Sequence, residues 1–153
     1  MGENKLKLTL QNNSSHLSIP TKKKFQQWLN VVATAENISG EITLRIIDQD
    51  EMQQLNNTYR HQDKPTNVLS FPYEPFPGEA ASHLIGDLVI CAPVVTAEAV
   101  AQNKSELAHW AHLTLHGTLH LLGFDHEIAA EADIMEAKEI AFLQQLGYAD
   151  PYE

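Results

Sequence analysis

His116, His120, Gly123 and His126 combine residue types and spacing that could hold a catalytic metal. Residues four apart on a helix share a face, so His116 and His120 can aim their imidazoles at one point. Gly123 offers a left-handed helix end that costs other residues more. The chain can then turn back, and His126 can swing in as a third ligand. Three neutral imidazoles and one open position make the inner sphere of a catalytic zinc site, where water is activated for hydrolysis.

The spacing matches the His-x-x-x-His-x-x-Gly-x-x-His frame of the metzincin peptidases. Those enzymes need Glu directly after the first histidine as general base. Here that position is Gly117, which cannot move a proton. The metal holder is complete while the peptidase base is missing, which argues for another substrate or another proton route.

A buried helix must carry this motif. Ser105 can cap a helix over 106–122, apolar nearly all round through Leu107, Trp110, Ala111, Leu113, Leu115, Leu119, Leu121 and Leu122. His109 and His112 extend the histidine stripe upward and read first as hydrogen-bonded histidines in or beside the core, with outer partners of the metal ligands or proton carriers as the alternative. Asp125 could orient a ligand imidazole or simply serve the turn. Alternation predicts strands over 5–10, 42–47, 66–71 and 84–91. Thr21 is a candidate cap for a helix bearing Phe25, Trp28, Leu29 and Val32. Asp48 looks like the cap of a short helix with Met52 and Leu55, and Pro93 suits a first helical turn. A last helix runs over about 128–146 and stops at Gly147. The order predicts an α+β class, one domain over 1–153 with a small mixed four-stranded sheet and a central metal-bearing helix, zincin-like in outline. Its strand order is not readable from the chain.

The second informative stretch is Tyr59 to Phe71. Arg60 and Lys64 flank a loop leading into a strand, and a planar guanidinium suits bidentate phosphate binding and transition-state charge. Cys91, the single cysteine, sits in an apolar strand and reads as buried and inert. No intrachain disulfide is possible, no long apolar span appears, and the first residues lack an apolar signal core; these fit the cytoplasm. Ten basic and twenty acidic residues give a net charge of −10, which argues against nonspecific coating of nucleic acid but not against a local basic groove. Lys22, Lys23 and Lys24 read as a solvated first helical turn.

The 116–126 segment, the 60–71 segment and the Gly86-Asp87-Leu88-Val89-Ile90 strand together resemble the YbeY family of bacterial endoribonucleases and rRNA maturation factors. His109-Trp110-Ala111-His112 and Leu146-Gly147-Tyr148 extend the resemblance over nearly the whole chain. It implies a metal-dependent, single-strand-specific endoribonuclease acting in small-subunit rRNA 3′-end maturation and ribosome quality control. Its substrates would be single-stranded RNA and rRNA, and its partner the ribosome with its associated factors. The family's metal-binding histidines fall on His116, His120 and His126, and its functionally important arginine on Arg60. Many members have Asp where this chain has Asn67, so Asn67 receives no acid–base role. The family metal is usually zinc, and imidazoles suit zinc, nickel or copper. Two other readings stand beside this one. One is a metallopeptidase or amidohydrolase; the other is a non-enzymatic assembly factor whose metal only staples the turn after Gly123.

Overall fold

Period-two alternation divides the strand residues between two faces of one sheet. The computed structural model describes residues 5–79, 83–124 and 127–152. Its strands are β1 (Leu6–Asn12), β2 (Gly40–Ile47), β3 (Val68–Pro72) and β4 (Leu84–Cys91). They lie in the order β1-β2-β4-β3. β1, β2 and β4 run parallel, and β3 returns antiparallel along β4 with Ser70 opposite Leu88. The sheet is therefore mixed and four-stranded, as expected.

The helices are α1 (Lys22–Glu36), α2 (Gln49–Arg60), α3 (Ala92–Ala101), α4 (Glu106–Leu121) and α5 (Ala129–Gln145). On one sheet face, Leu6, Leu8, Ile42, Leu44, Ile46, Leu88 and Ile90 pack against Phe25, Trp28, Trp110, Leu115 and Leu119. Phe25 bridges the two tryptophans edge-on, with ring centroids 5.3 Å from Trp28 and 5.8 Å from Trp110. Full burial of one large apolar side chain contributes roughly 1.5–3 kcal/mol, so this face dominates cohesion. A smaller cluster of Ile47, Met52, Leu69, Val89 and Cys91 holds α2 on the other face. No described helix is long and apolar enough to cross a membrane.

The local signals set the helix ends. Thr21 Oγ1 accepts from Lys24 N, and Ser105 Oγ from Ala108 N. Lys22, Lys23 and Lys24 are exposed in the first turn of α1. Asp48 departs from expectation. It stands at the N-cap of α2, but its side chain does not cap the helix. Ser14 and Ser15 take the carboxylate instead, and their hydrogen bonds hold it below its usual pKa. Two hydroxyls and a backbone N–H outcompete one helix amide, so a cap signal becomes a tie between the loop after β1 and the start of α2.

Candidate metal centre and cleft

α4 brings the chemistry to the surface of its own core. Trp110, Leu115 and Leu119 are buried, whereas His112, His116 and His120 are only partly covered and line one side of a cleft of about 620 Å³. The same cleft is lined by Arg60, at the end of α2, and by Thr66, Asn67, Val68 and Ser70 leading into and along β3. Lys64 does not line the cleft; it is exposed, and its carbonyl accepts from Asn56 Nδ2. The Arg60 guanidinium makes no hydrogen bond or ion pair to a described residue. Its donors stay available to an incoming anion.

β3 is tied to the metal helix at Gly117. Ser70 Oγ donates to the Gly117 carbonyl at 3.1 Å. A Cβ on Gly117 would lie 2.7 Å from Leu88 Cδ2 and 3.2 Å from Val68 Cγ2. The position after His116 is therefore pressed against the sheet. It lacks a base, and it also lacks the room for one, which weighs further against the peptidase reading.

α4 ends as its sequence predicts. Gly123 has φ +99°, Gly123 N donates to His120 O at 3.0 Å, and Phe124 N donates to Leu119 O at 3.1 Å. This paired capping turn satisfies the last carbonyls and sends the chain away from the helix axis. Asp125 and His126 lie outside the described residues. Glu127, the next described residue, lines the same cleft.

The two described histidines of the motif meet nitrogen to nitrogen. His116 Nε2 and His120 Nε2 are 3.1 Å apart. Ligand nitrogens on a tetrahedral zinc ion, at 2.0–2.1 Å from the metal, stand about 3.3 Å apart. The pair thus has the separation of two ligands on one ion. On its other edge, His116 Nδ1 donates to Glu139 Oε1 at 3.2 Å. The same oxygen accepts from His112 Nε2 at 2.7 Å and from the Tyr152 hydroxyl at 3.0 Å. Donor atoms of His112, His116 and Glu139 lie within 4.8 Å of one another, a second grouping that could hold a metal ion. Both groupings share His116, and their imidazole and carboxylate donors fit a divalent ion of the zinc type.

Glu139 is buried at the α4–α5 interface. Burial alone would push its carboxyl up, but hydrogen bonds and charge from His112 and His116 outweigh that and hold it down at about 2. The Tyr152 hydroxyl is pushed up, first by burial and then by Glu139. Sequence reasoning gave Glu139 no role. The available signal was its place on the inward stripe of α5 with Met135, Phe142 and Leu143, where an unpaired carboxylate would be costly.

His109 belongs to a separate network. It is buried, and its Nε2 donates to Glu98 Oε1 at 3.0 Å. Asn67 Nδ2 donates to the same oxygen at 3.0 Å, which ties the start of β3 to α3 and α4. The hydrogen bond from His109 lowers the Glu98 pKa against the opposing effect of burial. Cys91 is buried and its thiol pKa is raised by that burial, as an inert core thiol requires.

A mixed sheet beneath a histidine-bearing helix, with Arg60 and the histidines lining one cleft, defines an α+β protein with a possible metal site. Comparison with known proteins narrows the class. The family model described as Endoribonuclease YbeY matches residues 9–147. A Halorhodospira halophila protein named Endoribonuclease YbeY is 53% identical over 138 residues, covering 89% of this chain and 90% of its own. A protein of the same name from Nitrosococcus oceani is 50% identical over 137 residues, with the same coverage of each chain. The solution structure of TM1509 from Thermotoga maritima has the same fold, with a TM-score of 0.58 at 21% identity over 95% of this chain and 99% of that one. The chain belongs to the YbeY endoribonuclease family.

Proposed function

We propose that this protein, acting as one domain over residues 1–153, is a metal-dependent endoribonuclease. Its relatives carry that activity in their names, and its cleft has the parts that cutting a phosphodiester requires. The observation that carries the reading is the shared cleft. Arg60, His116 and His120 all line it. His116, His120 and His126 hold one divalent ion, with zinc favoured and nickel or another ion served by the same nitrogens. The nitrogen-to-nitrogen approach of His116 and His120 supports this set, and so does Glu127 in the cleft directly after His126. When bound, the ion supplies Lewis-acid chemistry, polarising a phosphoryl oxygen or activating water.

The residues of the chain do the rest. Arg60 binds the phosphate through its fork of N–H donors and offsets charge that grows on the oxygens as the bond breaks. Ser70 holds β3 against the Gly117 carbonyl and so fixes β3 beside the histidine-bearing helix. The substrate is single-stranded RNA. The resemblance in the Arg60–Phe71 and His116–His126 segments points to rRNA, to small-subunit 3′-end maturation and ribosome quality control in the cytoplasm, with the ribosome and its associated factors as partners. With a net charge of −10, the protein binds free RNA modestly and relies on such partners for affinity.

The test compares single-stranded RNA cleavage and zinc content for wild type, Arg60→Glu and His120→Ala. Arg60→Glu keeps its zinc and loses cleavage by about 100-fold or more, the scale of one removed transition-state contact. His120→Ala loses both. Full cleavage by Arg60→Glu would remove the arginine from the mechanism. A wild type that cuts peptides and leaves RNA intact would overturn the reading.

A further inference from the structure

We infer that Glu139 is a positioning residue for the metal centre: by accepting the Nδ1 proton of His116 it fixes that ring in the tautomer whose Nε2 lone pair faces His120. The inference rests on the reading that His116 and His120 hold the metal, and it adds a residue that the histidine frame does not contain.

A neutral imidazole carries one proton on one of two nitrogens, and it ligates through the other. The partner of the non-ligating nitrogen therefore selects the ligating one. In His116 the Nδ1 edge meets Glu139 Oε1 at 3.2 Å, and the Nε2 edge meets His120 Nε2 at 3.1 Å. The Glu139 side chain is 1% exposed, so water does not compete for the Nδ1 proton. The carboxylate is itself held from two directions. His112, one helical turn before His116, donates to it at 2.7 Å, and Tyr152 donates from beyond α5 at 3.0 Å. Its second oxygen is buried and has no hydrogen-bond partner among the described residues, so the whole demand of the carboxylate falls on Oε1.

The His112 contact favours acceptance over ligation for the Glu139 oxygen. A separation of 2.7 Å is that of a direct charge-assisted hydrogen bond. It is shorter than the roughly 3.3 Å between two ligands on a tetrahedral ion.

Nitrogen-15 NMR of the metal-free wild type reads the tautomer directly, and His116 should carry its proton on Nδ1. Zinc affinity is then measured by chelator competition on full-length variants, with circular dichroism to check folding. Glu139→Leu keeps the buried volume and removes the acceptor; it should bind one zinc with a 10- to 100-fold weaker Kd, the usual cost of losing such a partner. Glu139→Gln keeps a carbonyl acceptor and should recover most of that loss. Wild-type affinity in Glu139→Leu would overturn the inference, as would an Nε2-protonated His116 in the wild type. Complete loss of zinc in Glu139→Leu, matching His120→Ala, would also overturn it by making Glu139 a ligand. Undiminished zinc affinity in His120→Ala would instead overturn the ligand set beneath it, an outcome separate from the tautomer spectrum.

Discussion

His109 and His116 lie seven residues apart on α4, and each meets a glutamate, Glu98 at 3.0 Å and Glu139 at 3.2 Å. The pairs share a chemistry and differ in what remains of the ring. His109 turns its other nitrogen into the core, where it has no hydrogen-bond partner among the described residues. His116 turns its other nitrogen to His120 at the edge of the cleft. The first pair can only cross-link: with Asn67 it fastens β3 to α3 and α4. The second pair opens on the cleft. What a histidine–carboxylate pair can do is therefore set by the surroundings of the ring's other nitrogen, not by the pair itself.

Exchanging the two histidines for alanine breaks the comparison most directly. His116→Ala should weaken zinc binding by more than about 100-fold, beyond the range of an outer partner, and abolish RNA cleavage. Metal-free stability, read by urea unfolding, should change little. His109→Ala should do the reverse, costing about 1–3 kcal/mol of stability through the emptied volume and the donor lost to Glu98 while zinc affinity holds. If both variants lost zinc equally, the division between the pairs would fall.

A middle-sized effect is expected at the glycine between the motif histidines. Gly117→Glu restores the sequence pattern of a peptidase, yet its side chain would be driven against Leu88 and Val68. The variant should lose about 2–4 kcal/mol in unfolding experiments, from overpacking and a poorly solvated carboxylate, and gain no peptide cleavage. A stable, peptide-cutting variant would show that position 117 faces the chemistry after all.

The smallest effect concerns acid. The Glu98 carboxyl is lowered from an ordinary value of 4.5 by His109. A carboxyl lowered on folding is ionised in the folded chain while the unfolded chain takes up protons. Its stabilisation is present above that ordinary value and is lost as pH falls through the lower, folded one. Stability followed by urea unfolding from pH 6 downward should decline below about pH 4.5. In Glu98→Gln the decline should be shallower. An unchanged slope would mean that Glu98 contributes nothing to acid sensitivity.

Much of the site could be read along the chain because it is local. The i, i+4 spacing of His116 and His120, the Ser105 cap and the Gly123 turn depend on neighbours within a few residues, and each holds. The α+β class and the four strands followed from periodicity in the same way. The reading of His109 as a core histidine held. His112 is hydrogen-bonded beside the core as well, but its partner Glu139 was not legible because it arrives from a helix that begins beyond the turn. Asp48 matched a cap signal and was drawn off by Ser14 and Ser15, which no window around α2 contains.

By itself, then, the sequence determined the histidine frame, its buried helix and the arginine-bearing segment, since helix periodicity and capping act over one or two turns. Tertiary structure alone decided three further things. It paired Glu139 with His116 across 23 residues, pressed Gly117 against β3 and β4, and brought Arg60 into one cleft with the histidines. Such contacts depend on how whole elements pack, and packing brings together residues whose separation along the chain carries no periodic signal.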